Sequence, residues 1–394
     1  MEPLLPVFAS ERVSRLAISA IKEMAIRASR MEDVASLTWG LPSFRTPVHV
    51  REAVHCALRA DPDVGKYTLP DGLPDLRRAA AEAHLRATGV AVSADRHVLV
   101  TAGNMEGVKV VLDTVLDVGD EVIVTDPGFV SHIHQIRASG GVPVFWPLLE
   151  EQGWAADVGS LEALITSRTR VVLLVTPSNP TGTVLRELEL LRIGELARRY
   201  GVLVILDDPY SRFVFGGRER YFNLASVREL SDHIAYLFTF SKCHAMSGWR
   251  VGYAVLPEEL KRQVLKIHDA TLICAPRPSQ VAALAALGGS DAHVFEFANE
   301  LDRRRSLICE RLERVPHVFS YVPPEGAYYV FPKLVAKHVD SLCFSLDLLG
   351  QARVCVTPGS AFGPSGEGHV RMAFCVPEDE INKAFDRIER YFPS

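Results

Sequence analysis

The sequence predicts an α/β protein: a large domain with a mostly parallel sheet sandwiched by helices, followed by a smaller α+β C-terminal domain. Three observations predict it. Through the middle of the chain, short apolar runs rich in β-branched residues alternate with polar or glycine-rich turns and helical stretches, the mark of a parallel sheet covered on both faces. Past Gln280 the pattern changes to long, charged helical stretches and brief strands. A length of 394 residues exceeds what one compact core usually needs, so two domains are expected.

The elements follow in order. Met1 to Arg30 carries charges every few positions and no sustained apolar core, which argues against a signal peptide or membrane anchor. His97 to Thr101 reads as a strand, Glu121 to Thr125 as a second and Arg170 to Val175 as a third. Glu187 to Tyr200 has helical periodicity and stops at Gly201, after which Val202 to Leu206 is short and apolar enough for a buried strand. Ile234 to Phe238 and Val251 to Leu256 add two more strands. Val294 to Arg314 reads as a long helix, with short strands near Tyr328 to Phe331 and Val354 to Thr357. No repeat, low-complexity tract or Pro/Ser-rich linker separates the parts.

Composition bounds the function. With 48% hydrophobic and 23% charged residues the chain has the make-up of a soluble globular enzyme. A formal net charge of −5, with Lys and Arg scattered, offers no field for nucleic acid. Seven cysteines, an odd number without close pairs, read as thiols in a reducing compartment, so a cytoplasmic protein is expected, without a membrane partner. No metal site is expected.

Polar clusters fall just after the expected strands, the edge where open α/β sheets bind ligands. Thr101-Ala102-Gly103-Asn104-Met105-Glu106 follows a strand and opens a helix, so its backbone N–H groups suit a phosphate. Taken alone it is an ordinary strand-to-helix turn. Thr176-Pro177-Ser178-Asn179-Pro180-Thr181-Gly182 is a turn-forming string, a surface turn if it stood by itself. Asp207-Asp208-Pro209-Tyr210 places two carboxylates at the end of an all-apolar strand, beside a buried site or as a helix cap. Thr239-Phe240-Ser241-Lys242, followed by Ser247-Gly248-Trp249-Arg250-Val251-Gly252, sets a lysine just past a buried strand and an arginine soon after it, which suggests an anion site around an amine.

These segments, in this order, resemble the class I/II aminotransferase family of the pyridoxal 5′-phosphate (PLP) fold-type I superfamily. The likeness runs from Leu37-Thr38-Trp39-Gly40-Leu41-Pro42, through Tyr67-Thr68-Leu69-Pro70-Asp71-Gly72, to Pro358-Gly359-Ser360-Ala361-Phe362-Gly363 and His369-Val370-Arg371. It implies a large PLP-binding domain over 46–284, a small domain over 285–394, and an N-terminal segment 1–45 packing with the small domain. Lys242 is expected to hold PLP as a Schiff base. Asp207 is expected to pair with the protonated ring nitrogen that makes the cofactor an electron sink. Asn179 and Tyr210 match the partners of the phenolic oxygen, Phe129 the ring that stacks on PLP, and His132 a histidine behind the aspartate. Arg250, Thr239, Ser241 and the Gly103-Asn104-Met105 backbone match the phosphate cup. Tyr67 matches a tyrosine that reaches the phosphate of the other subunit, so a homodimer is implied. Arg371 matches the arginine for the substrate α-carboxylate, with the Gly40 backbone and Asn179 nearby.

The reaction this implies is a ping-pong transfer of an amino group from an L-amino acid to a 2-oxo acid such as 2-oxoglutarate. Two departures bear on specificity. Asp208-Pro209 replaces an acidic-then-aliphatic pair, and Met105 stands where some dicarboxylate-specific members carry lysine. Arg277 is a candidate reader of a distal carboxylate. The same fold and lysine also serve lyases, cyclases and decarboxylases, and a non-catalytic binding protein is the remaining alternative, though one with little use for the full residue set.

Overall fold

The computed structural model describes residues 8, 10–14, 16, 20–216, 221–335 and 340–393, so part of the stretch read for a leader lies outside the described residues. Near the N-terminus a two-residue strand, β1 (Ala35–Ser36), pairs with a C-terminal segment considered below. The large sheet is built from β2 (Val98–Thr101), β3 (Glu121–Asp126), β4 (Val142–Leu149), β5 (Ala155–Ala156), β6 (Thr169–Val175), β7 (Leu203–Asp208), β8 (Ile234–Thr239) and β9 (Gly252–Val255). Their spatial order is β2-β9-β8-β7-β6-β3-β4-β5.

The strands that read as continuous apolar runs are buried on both sides. Leu206, Val204, Leu174 and Val172 join one core with Trp146 and Tyr236, while Ile205, Leu173, Val171 and Leu237 join another across the sheet. That is the burial a helix-covered parallel sheet produces. β7 starts one residue later than the apolar run and extends through both aspartates, because Asp207 pairs in register with Val175 and Leu237, and Asp208 with Phe238.

Two features depart from a simple reading of the runs. β9 is antiparallel to both β8 and β2. The segment joining it to β8 carries only one short 3-10 turn, Ser247–Trp249, and no crossover helix to bring the chain back in parallel. β4 is absent from the sequence reading because Pro143 and Pro147 lie within it, and proline normally demotes a strand. The Val142 amide donates to Asp120 O on the β3 side. Residues 143 and 147, of opposite parity, therefore turn their missing N–H groups away from β3.

The C-terminal part holds β10 (Phe319–Ser320), β11 (Tyr329–Val330), β12 (Lys333–Leu334), β13 (Val354–Cys355), β14 (Thr357–Pro358) and β15 (Val370–Ala373). β11, β15 and β14 form an antiparallel sheet, and β13 receives β1 in parallel. The long helix spans Ala292–Glu313 and buries Leu301, Ile308 and Leu312 in a core with Phe374 and Phe385. All seven cysteines are free thiols. Among the described residues no helix is long and apolar enough to cross a membrane.

Candidate active site

The C-terminal ends of β2, β3, β6, β7 and β8 converge on one edge of the large sheet, and the small sheet closes over it. A cavity of about 610 Å³ lies there. Of the residues given a role from the sequence, all except Gly103, His132, Tyr67 and Arg277 line it.

At the floor stands Asp207, buried at the end of β7. Its Oδ2 lies 2.9 Å from His132 Nε2, and Oδ1 accepts from Asn104 Nδ2 at 2.6 Å. His132 is one turn into the helix Val130–Ala138, and Phe129 at that helix's N-terminus meets its ring edge-on at 5.0 Å between centroids. Gly128 before it is required by the turn, since a Cβ there would sit 2.2 Å from Thr125 O.

Lys242 follows β8 and reaches back across the cavity, donating from Nζ to Gly40 O at 2.8 Å. Burial pulls its ammonium down to about 8, and the Arg371 and Arg250 charges act in the same direction. Tyr328 donates to the same Gly40 carbonyl at 3.1 Å. Gly40 is glycine for a steric reason: the Tyr329 hydroxyl lies 1.9 Å from where a Cβ would be.

An anion cup stands at the opposite end. The helix Asn104–Val115 begins after Gly103, whose φ of +78° favours glycine. The amides of Glu106 and Gly107 bond to Gly103 O, whereas those of Gly103, Asn104 and Met105 make no hydrogen bond among the described residues. The Arg250 guanidinium closes the cup, donating to Ser247 O at 2.9 Å and Ala102 O at 3.2 Å, and a Cβ on Gly103 would meet its NH2 at 2.9 Å. Arg250 itself adopts φ +52°, an uncommon backbone state for a non-glycine residue and one often found at functional sites. Thr239 Oγ1 and Ser241 Oγ lie 2.9 Å apart beside it. Three unpaired amides, a guanidinium and a hydroxyl pair fit a phosphate.

Arg371, on β15, is fully buried. It donates to Asn179 Oδ1 at 3.1 Å and to Thr357 Oγ1 at 3.4 Å, bonds Thr38 O as well, and lies 4.6 Å over the Tyr329 ring. Its Nε has no partner, so it keeps capacity for an incoming anion. Tyr210 shares a 2.9 Å hydrogen bond with Tyr329, and burial pushes its phenol well above the ordinary value. The residues present therefore fit PLP: an amine, a buried carboxylate, a phosphate cup and a second anion site share one cavity.

The sequence reading missed part of this wall. Tyr328 and Tyr329 were read only as strand, although two hydroxylated aromatics in a buried run must find polar partners. Trp39 and Leu41 flank Gly40 in the string Leu37–Pro42 and line the cavity with it, whereas the helix Ala20–Ser29, which brings Ile21 and Lys22 to the rim, carries no local signal of proximity. Arg277 is not among the lining residues and pairs with Asp61 at 2.7 Å. Tyr67 is 74% exposed on the single chain.

Residues 32–388 match the family described as aminotransferase class I and II. The chain is 34% identical over 385 residues to an aspartate aminotransferase of Pyrococcus horikoshii, covering 97% of each. It is 32% identical to aromatic-amino-acid aminotransferase 2 of Thermococcus litoralis, again over 97% of each. Among solved structures, aspartate aminotransferase from Thermus thermophilus with maleate superposes with a TM-score of 0.92 at 31% identity, covering 98% of this chain and all of that one.

Proposed function

The chain belongs to the class I and II aminotransferase family, and from that premise we propose that its cavity moves an amino group from an L-amino acid to a 2-oxo acid, 2-oxoglutarate in particular, in a ping-pong reaction. The protein is a PLP-dependent aminotransferase. Bound PLP supplies the electron sink that makes a Cα–H bond of an amino acid acidic.

One observation supports the site assignment most directly: Lys242 stands between a buried carboxylate and two arginines in a single cavity. Lys242 would hold the cofactor through its amine and would carry the proton from Cα. Asp207, held by His132, would face the ring nitrogen. Asn179 and Tyr210 would hold the phenolic oxygen, and Phe129 would lie against the ring. Arg250, Thr239, Ser241 and the amides of Gly103, Asn104 and Met105 hold the phosphate. Arg371 takes the α-carboxylate as a fork, with Gly40 and Asn179 closing that subsite. The cavity walls and the small domain exclude water while the proton moves.

We further propose a homodimer in which Tyr67 completes the partner's phosphate cup, and a cytoplasmic location. The exposure of Tyr67 on the single chain supports the first. The domain division proposed is 1–45, 46–284 and 285–394. Pairing of Ala35–Ser36 with Val354–Cys355 supports joining the N-terminal segment to the small domain. Residue 285 falls inside the helix Arg277–Gly288, so a cut for expression belongs beyond that helix.

The test is an absorbance scan of PLP-loaded protein before and after each of the twenty amino acids. At least one donor should convert the bound cofactor to pyridoxamine phosphate, and 2-oxoglutarate should restore the original spectrum. Release of pyruvate with thiol or ammonia, without the aminated cofactor, would overturn transamination in favour of a lyase.

A further inference from the structure

In the sequence reading Asn104 contributes only a backbone amide to the phosphate cup. Its side chain does something else. It is 7% exposed and points away from the cup toward the sheet, where Nδ2 donates to Asp207 Oδ1 at 2.6 Å and to Leu237 O at 3.1 Å. Both donors of the amide are therefore used, and Gly252 makes room, since a Cβ there would lie 3.0 Å from Asn104 Oδ1. His132 takes the other oxygen of Asp207 at 2.9 Å.

We propose that Asn104 is a positioning residue for Asp207, fixing the carboxylate's orientation and joining the phosphate turn to the ring-nitrogen end of the cofactor. The proposal rests on the PLP reading of the cavity. Asp207 has no Lys or Arg ion pair among the described residues; His132 is its one ionisable partner at bonding distance. The carboxylate is therefore held by hydrogen bonds, one to each oxygen. A neutral amide does this without cancelling the charge that the ring nitrogen needs. The two partners take different oxygens of the carboxylate, and Asp207 still lines the cavity. A simple tether of the helix Asn104–Val115 to β8 would need only the Leu237 bond.

The test uses the full-length protein stripped of cofactor, titrated with three probes: PLP, its benzene analogue in which CH replaces the ring nitrogen, and inorganic phosphate. Wild type should prefer PLP to the analogue. Asn104→Ala should weaken PLP by about tenfold, the size of one hydrogen bond to a charged group, and leave the analogue and phosphate nearly unchanged. Asn104→Leu, which keeps the volume, should repeat the pattern if the alanine variant does not fold. Equal losses for PLP and the analogue, with phosphate falling alongside, would overturn the proposal and leave Asn104 a tether. A wild type that binds PLP and the analogue alike would overturn the assignment of Asp207 itself, and this proposal with it.

Discussion

On β7, neighbouring aspartates face opposite sides of the sheet, as alternate strand residues must. Asp207 follows the parity of Ile205 and reaches the cavity; Asp208 follows Leu206 and is bonded by the Tyr236 hydroxyl at 2.8 Å and the Ser211 amide at 2.9 Å. Asp207→Asn keeps the shape but removes the charge beside the ring nitrogen, so Cα–H cleavage should slow by at least about a hundredfold, or about 2.7 kcal/mol of barrier. Asp208→Asn should change that rate little. Stopped-flow half-reactions with deuterium at Cα measure both, and a crippled Asp208→Asn beside a mild Asp207→Asn would move the site by one residue. Lys242 gives a second test at this scale. Only its neutral amine attacks the PLP aldehyde, and burial brings the amine to about 8. The rate at which stripped protein captures PLP should therefore rise with pH and level off above about 8. A rise that continues toward the ordinary lysine range would contradict the buried setting.

Helix ends and strand ends make the site. The helix Asn104–Val115 opens at Gly103, where a φ of +78° and the close approach of Arg250 both disfavour a side chain. Gly103→Ala should therefore strain the turn and push Arg250 aside, lowering PLP affinity by about tenfold or more, as loss of one charge-assisted contact would. Gly350→Ala, in the helix Ser341–Ala352 and away from the cavity, is the control, because a Cβ there meets open space. Equilibrium dialysis of the two variants decides it, and equal affinities would remove Gly103 from the cup. The same logic of ends explains β4. Its two prolines are tolerated because their missing donors lie away from β3, a distinction that pairing determines and a proline count does not reveal.

At the scale of the whole molecule, the large sheet and the small sheet each contribute one part of the proposed chemistry: Lys242, Asp207 and Arg250 from the former, Arg371 from the latter. Tyr67 extends the argument to a second copy. If it reaches the partner's phosphate, the active unit is a dimer with two shared sites. Tyr67→Phe should then weaken cofactor retention by about 1 kcal/mol, one hydrogen bond to an anion in a partly wet site. Sedimentation with parallel activity measurements checks the assembly, and a fully active monomer would refute it.

The sequence by itself determined the elements whose signal is local. Apolar β-branched runs marked β2, β3, β6, β7 and β8, and the helix Glu187–Tyr200 was legible from its period and from Gly201 beyond it. The polar strings after those strands supplied most of the residues that meet in one cavity, because an open parallel sheet puts its strand ends together whatever the helices do. Tertiary structure alone decided what depends on distant partners. It reversed β9, paired β1 with β13, and turned the Asn104 side chain to Asp207, 103 positions away. It also brought Tyr329 to Tyr210 and Arg371 to Asn179. Periodicity reports which face of an element is buried, but hydrogen-bond partners far apart in the chain meet only after the sheets have packed, and there the distances of a few ångströms that chemistry needs are fixed.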